Sequence, residues 1–411
     1  MAEDRAAPEA SGSDAPVFNP FDPATRADPY PTYRRLREQD PVHRNPIGIW
    51  VLSRYSDIEP ILRDPSFSSD LRKAKDLPLM SHVDDVDDRL ERRSRVMLFT
   101  DPPDHTRLRG LVNKAFTPRT VDRLRPRAQQ IVDEILDRVE GDGGMDLIGD
   151  LAYPLPVIVI AEMLGVPAED RDTFRQWSTD MARSLDPFLP PEVVGRIERS
   201  GEAFFEYFGR LIADRRAHPG DDLLSALVAA EEAGDRLSED ELLATCILLL
   251  VAGHETTMNL IGNGMLGLFR HPAEMERLRA EPDLIPNAIE EMLRYDGTVQ
   301  LTGRTATVDT EVAGVTIREG EISILLLGSA NHDPARFAEP DRLDVGRRDV
   351  RHLGFGGGAH YCLGAPLARM EAGIAFAELL RRLPNLTPAT EAFQWRENIV
   401  LRGLQELPIA W

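Results

Sequence analysis

A chain of 411 residues with 42% hydrophobic content has enough apolar material for a sizeable core, so bulk disorder is excluded. Its formal charge of −21 opposes sequence-independent attachment to nucleic-acid phosphates or anionic lipid. Two cysteines, Cys246 and Cys362, give no disulfide framework and fit a reducing compartment.

The first sixteen residues are acidic and rich in Ala, Pro and Ser, without the basic region and apolar run of a leader or anchor. Residues 1–20 are expected to form a disordered tail, and 21–411 a single domain of a cytoplasmic, monomeric protein. "GIWVLSRY" (48–55) reads as a strand. In "SHVDDVDDRLERR" (81–93), Asp84, Asp85, Asp87 and Asp88 read as a solvated face or as a loop attracting an amine-bearing ligand.

Ser238-Glu239-Asp240-Glu241 is a capping box with acids in the first turn, opening a helix that runs to about Arg270 before Pro272 stops it. At 1.5 Å per residue it spans on the order of 50 Å, enough to cross a large domain. Its longest apolar stretch, Leu242 to Gly253, is 12 residues. A membrane span needs roughly 17–25, so this is a buried helix, with Cys246 a small buried hydrophobe inside it.

"PNAIEEMLRYDG" (286–297) is a helix opened by Pro286 and closed by Gly297. "TEVAGVTIREGEISILLLGSA" (310–330) reads as two strands joined at Arg318-Glu319-Gly320. The segment after Cys362 is a further helix.

"HLGFGGGAHYCLGAPLARME" (352–371) raises the chemical question. A dinucleotide fingerprint fails there because "RRDVRH" before it is no buried strand. Zinc at His360 and Cys362 lacks two further ligands, and a histidine two residues away seldom points at a thiol. What remains is a cysteine beside the amides of a following helix, with glycines that let a large flat group approach the main chain. That describes an iron ligand, set against a Gly-rich loop with an incidental cysteine.

Phe355-Gly356-x-Gly358-x-His360-x-Cys362-x-Gly364 resembles the haem-ligand loop of the cytochrome P-450 monooxygenases. The resemblance implies a mainly α fold with a smaller β-rich lobe, and haem b between the long helix and the helix after Cys362. It makes Cys362 the iron ligand, whose thiolate favours O–O cleavage. Phe355, Gly356 and Gly364 would shape the haem's seat, and Ala252 and Gly253 would contact it from the long helix. His105, Arg109, Arg304 and His360 would bind its propionates.

"AGHETT" (252–257) lacks the second histidine of a zinc protease, since Met258 stands there. It resembles the family's oxygen-binding kink at Gly253. By that resemblance Thr256 holds the iron-bound oxygen and a water, and Glu255 connects them to bulk protons. His254 is structural or a minor pocket contact, and Thr257 supports the helix.

Glu291-x-x-Arg294 alone would be a surface ion pair contributing about 0.2–0.5 kcal/mol. In the family it is buried and completed by a downstream arginine, here expected to be Arg336. His332 stands where relatives often carry arginine.

Substrate-lining candidates by resemblance are Leu248, Ala252, Val299, Gln300, Leu301, Ile399 and Val400. The implied reaction inserts one atom of O2 into a C–H or C=C bond of an apolar small molecule, such as a polyketide, macrolide or terpenoid. Electrons would come from NAD(P)H through a ferredoxin and its reductase, the ferredoxin docking near Arg107, Lys114, Arg119, Arg347, Arg348 and Arg351. Two rival readings are a non-catalytic haem-fold recruitment module and a peroxide-dependent peroxygenase. Cys362, Glu255 and Thr256 favour an O2-using enzyme over both.

Overall fold

A computed structural model describes residues 17–76, 90–91, 95–186, 189–232 and 237–411. Asp84, Asp85, Asp87 and Asp88 and the first sixteen residues lie outside this set.

Helix Glu239–Arg270 is the spine. Ser238 Oγ accepts the Glu241 N–H at 3.2 Å, and the Glu241 carboxylate accepts the Ser238 N–H at 2.7 Å, so the capping box closes reciprocally. Its apolar residues face all round, as a core helix requires. Length and composition would let it cross a membrane, but 72% of its most apolar window is buried within the protein. Helices Pro154–Met163, Arg171–Arg183, Ile285–Tyr295 and Ala365–Arg382 pack around it. Each buried Leu, Ile or Met contributes about 1.5–3 kcal/mol relative to exposure. Cys246 is fully buried there, its thiol pushed up to about 12 by burial, which makes it inert.

A smaller β lobe carries a five-stranded sheet in the spatial order Val42–Arg44, Trp50–Leu52, Ile322–Leu325, Thr302–Ala306, Phe67–Ser68. Trp50–Leu52 runs parallel to Ile322–Leu325 with Val51 opposite Ile324, and the other pairs are antiparallel. Strands Gly144–Asp146, Pro408–Ala410 and Thr387–Pro388 form a second sheet that ties the C-terminus to the helical side.

Three boundaries differ from the sequence reading. The strand expected over 48–55 covers only Trp50–Leu52, because Arg54 caps helix Tyr55–Ile61, whose Tyr55 N–H donates to Asp333 at 2.9 Å. Residues 310–330 hold three strands and the short helix Leu327–Ala330, not two strands. The extra reversal is a two-residue turn, with Ala313 at φ 50° and Gly314 at φ 81°. The helix expected over 286–297 spans Ile285–Tyr295; Gly297 follows its end, where any Cβ would collide with the Leu293 carbonyl oxygen.

Candidate functional site

Residues 352–364 form a tight loop that delivers Cys362 to the start of helix Ala365–Arg382. Gly356 (φ 69°) and Gly358 (φ 63°) adopt left-handed conformations, and Gly358 lies so close to the Leu62 carbonyl that a side chain would collide with it. The Cys362 N–H donates to Phe355 O at 2.9 Å, closing the loop. Gly364 is the N-cap of the helix, and the Gly364 and Ala365 amides donate to the Cys362 sulfur. Burial pushes this thiol up, and those amides with Arg109 and Arg369 pull it back toward the thiolate. A metal at the sulfur would deprotonate it outright.

The loop is braced from behind. The Arg369 guanidinium sits 4.6 Å from the Phe355 ring centroid and makes a two-pronged bond to Glu290 at 2.6 and 2.8 Å. His352 is 3.2 Å from the same carboxylate. Burial alone would raise the Glu290 pKa, but its bonds to Arg369 and His352 bring it down to about 2.

Beside the loop stands a cluster of nitrogen groups. The His105 and His360 rings meet at a tilt of 42° with centroids 4.1 Å apart, and the buried His105 Nε2 has no hydrogen-bond partner among the described residues. Arg304, only 6% exposed, bonds to Gly303 O at 2.7 Å and Thr302 Oγ1 at 3.3 Å and forms no ion pair with a carboxylate among the described residues. Burial brings the Arg304 pKa down to about 10. Burial and the neighbouring His105 and Arg304 bring His360 to about 3. Among the described residues Asp101 is the one carboxylate that acts on all three groups, and it does not ion-pair Arg304; a buried guanidinium beside two imidazole donors suits an anionic ligand. Arg109 instead donates to the loop carbonyls Ala359 O at 3.0 Å and Tyr361 O at 2.6 Å.

On the long helix Ala252 is exposed and Gly253 and Thr256 are half-buried, while Val251, His254, Glu255 and Thr257 are buried. The helix is continuous through the expected kink; the Thr256 and Thr257 hydroxyls bond to the carbonyls of Ala252 (2.8 Å) and Gly253 (3.2 Å). A Cβ on Gly253 would lie 3.3 Å from Ile160 Cγ1, so glycine here serves close packing between two helices.

Glu255 bonds to Arg396 Nη1 at 3.1 Å, and Arg396 is 21% exposed, which links a buried acid to the surface. His254 Nδ1 donates to Leu250 O at 2.7 Å, and the ring meets Tyr153 edge-on, a structural role. Glu371, on the helix after Cys362, is wholly buried, and burial holds its carboxyl well above the usual range with only the Thr257 hydroxyl opposing.

The structure corrects the arginine expected to complete the Glu291–Arg294 pair. Arg294 binds Glu291 at 2.7 and 2.8 Å, both side chains fully buried. The third member is Arg347, whose Nε lies 3.1 and 3.0 Å from the two Glu291 oxygens. Arg336 pairs with Asp349 at the surface, 3.1 Å away, because "PARF" turns its guanidinium onto Tyr55 and away from Glu291. Arg347 is therefore committed to the interior and is not a docking residue, while Arg107 is paired with Glu241 at 2.5 Å with its side chain 37% exposed. His332 is buried between Tyr295 O (2.7 Å) and Asp341 (3.1 Å).

Of the substrate-lining candidates, Leu248, Val299, Ile399 and Val400 are half-buried and Ala252 is exposed. Gln300 lines a cavity with Ile399, Tyr33 and Arg402, whereas Leu301 is buried in the core of the β lobe. The Gln300 amide donates to Gly297 O at 2.7 Å and accepts from Tyr33 at 3.2 Å, and Leu301 packs with Tyr33, Leu36 and Ile324. Sequence reasoning missed Arg369, Arg396, Glu371 and the role of Arg347 because their partners are remote in the chain. Arg369 and Glu371 left a local cue, a charged residue inside a largely apolar helix pattern, whereas Arg347 and Arg396 in irregular chain left none.

Taken together, a sulfur on helix-start amides, a half-exposed stretch of small side chains on the spine and a cluster of nitrogen donors around the buried Arg304 fit an iron porphyrin with two carboxylates. The family model for cytochrome P450 matches residues 48–394. Cytochrome P450 CYP107DY1 of Priestia megaterium is 45% identical over 393 residues, covering 92% of this chain and 94% of that protein. The solved Bacillus subtilis 168 bacillaene polyketide synthase cytochrome P450 PksS superposes with a TM-score of 0.86 at 39% identity, covering 96% of this chain and 99% of the other. P450BioI, solved in complex with a hexadec-9Z-enoic acid ligated acyl carrier protein, gives 0.88 at 39% identity over 94% and 99%. The chain belongs to the cytochrome P450 family of haem monooxygenases.

Proposed function

We propose that this P450 inserts one oxygen atom from O2 into a C–H or C=C bond of an apolar, medium-to-large metabolite of the polyketide, macrolide or terpenoid type. The observation that carries the oxygenase chemistry is Cys362 on the Gly364 and Ala365 amides, on the same loop as the half-buried His360, which meets the buried His105 beside the buried Arg304. The substrate class is supported by the half-buried apolar Leu248, Val299, Ile399 and Val400 and by the polyketide synthase context in the name of PksS.

Haem, when bound, supplies the activation of dioxygen and the oxygen transfer. Cys362 is the sulfur donor to its iron, with the helix-start amides setting how much charge the sulfur keeps. His105, His360 and Arg304 provide donors for the two carboxylates, and Arg109 holds the cysteine loop to helix Asp104–Ala115. The Thr256 hydroxyl, resting on Ala252 O, can turn to order a water and hold a proton beside Ala252. Glu255, held by Arg396, takes up and passes on protons between the surface and that turn of the helix, while the guanidinium keeps its own.

Electrons arrive from NAD(P)H through a reductase and an acidic ferredoxin at the Cys362 side. A cavity there is lined by Cys362, Tyr361, Phe116 and Pro118, at the start of helix Pro118–Val139. Arg119, Arg123 and Arg125 on that helix, and Arg348, are exposed and form no ion pair among the described residues. Such a patch steers an acidic partner despite the global negative charge.

The test is a panel of apolar metabolites screened on the haem-loaded protein for the optical change that follows loss of water from ferric iron, with products of responding compounds identified by mass. Response confined to amine-bearing compounds, lost on charge removal at Asp84 and Asp85, would make the acidic loop the selector. No response and no product from any polyketide, macrolide or terpenoid would overturn the assignment of substrate class.

A further inference from the structure

Asp186 lies just beyond helix Arg171–Arg183, before helix Pro191–Ala217, and its side chain is 0% exposed. Its Oδ1 accepts the backbone N–H groups of both Ile399 and Val400, each at 2.9 Å. Arg183 Nε lies 3.2 Å from Oδ2, and Arg183 Nη1 lies 3.6 Å from Glu397. A carboxylate is costly to bury unless its charge is answered, and here two amides of a segment 213 and 214 residues away help to answer it. Neither helix needs this contact for its own capping, so its effect is to fasten one part of the chain to another.

Both sides of the fastening are stiff. The two helices are joined by Phe174 stacked on Phe204 at 5.6 Å and by Ser200 Oγ donating to Asp180 at 2.8 Å. On the other side Val400 O accepts from Gln300 N at 2.9 Å, and Thr298 O accepts from Arg402 N at 2.7 Å. Thr298 Oγ1 then donates to Thr256 O at 3.1 Å. A continuous run of hydrogen bonds thus connects the turn after helix Arg171–Arg183 to the turn of the spine that carries Thr256.

We propose that Asp186 is a positioning residue that latches the helix pair 171–217 onto the C-terminal turn 397–400, fixing that turn as a wall of the substrate pocket and limiting how fast ligands enter and leave. The clamp stands on the distances alone; the limit on ligand traffic rests on the reading of Ile399, Val400 and Thr256 as pocket wall.

Amide hydrogen exchange of the haem-loaded full chain, followed in the peptide over 397–402, tests the clamp. Asp186→Ala should speed exchange at Ile399 and Val400 about tenfold or more, because both amides lose a charge-assisted acceptor. Asp186→Asn keeps an oxygen acceptor and should stay near wild type, and the peptide over 286–295 should not change in either variant, showing that the fold is intact. Unchanged exchange at 399 and 400 in Asp186→Ala, or equally fast exchange in Asp186→Asn, overturns the clamp.

Phenylimidazole, which binds haem iron through its own nitrogen, then serves as the probe of traffic by stopped-flow absorbance. Asp186→Ala should raise both its association and dissociation rates about fivefold, with a smaller change in Kd. Accelerated exchange with unchanged phenylimidazole rates overturns the control of entry while leaving the clamp. Failure of wild type to bind the probe at iron would count against the haem reading and not against the clamp.

Discussion

Replacing Arg347 by alanine removes two bonds to Glu291, at 3.1 and 3.0 Å, and three to the carbonyls of Ala338, Glu339 and Arg342, at 2.7, 3.3 and 3.1 Å. Glu291 is 0% exposed, and it keeps the bonds from Arg294 and from the Asp344 N–H at 3.0 Å. Breaking a buried pair costs about 3–5 kcal/mol; with Arg294 still in place the lower end, about 3 kcal/mol, is expected. Arg336→Ala removes a pair whose members are 24% and 60% exposed, which is worth about 0–1 kcal/mol. Urea unfolding of the haem-loaded variants, followed by circular dichroism and by loss of the Soret band, measures both. Arg347→Lys should fall between, since an ammonium restores charge but not the fork. If Arg336→Ala destabilises as much as Arg347→Ala, the assignment of Arg347 as the third member of the pair is wrong.

Thr256→Ala should keep haem bound but divert electrons from product to hydrogen peroxide, measured as peroxide formed per NAD(P)H consumed; unaltered coupling would remove Thr256 from oxygen activation. Glu371 tests the consequence of burial. Its folded-state pKa lies well above 4.5, so the folded chain keeps a proton that the unfolded chain releases, and its contribution is complete below about pH 4.5 and lost as pH rises. Glu371→Gln should therefore flatten the fall in stability that begins above about pH 4.5, by up to about 1.4 kcal/mol per pH unit. Parallel pH profiles would show that the carboxyl is already ionised. Charge reversal at Arg119 and Arg125 should slow reduction by an acidic ferredoxin and weaken its dependence on ionic strength, with the CO-bound spectrum unchanged; an unchanged salt dependence would move the docking site elsewhere.

What the sequence disclosed depended on whether the signal was local. The capping box at Ser238, the apolar run after it and the glycines before Cys362 are patterns within one turn or loop, and their physics is complete there. The Glu291–Arg294 spacing was equally visible, but its third partner was not. Arg336 and Arg347 are both arginines in irregular chain, and only the path from 338 to 347 decides which one reaches a carboxylate 56 residues upstream. The turn at Ala313–Gly314 escaped because an alanine at positive φ carries no signal of its own. Gln300 lines a cavity with Ile399, but the hold of Gly297 and Tyr33 on its amide group was not visible from its place in the chain. Arg396 and Asp186 act on elements 141 and 213 residues away, and no window of sequence contains both ends of such a contact.

The central claim is that the Cys362 sulfur, in its anionic form, binds the haem iron. Freshly purified protein is reduced with dithionite, exposed to carbon monoxide and its Soret band recorded, with Cys362→His measured alongside. The account predicts the red-shifted band of thiolate-bound haem in the native chain and its loss in the variant. A native band at the position of imidazole-bound globins, or a thiolate band that persists in Cys362→His, would contradict it.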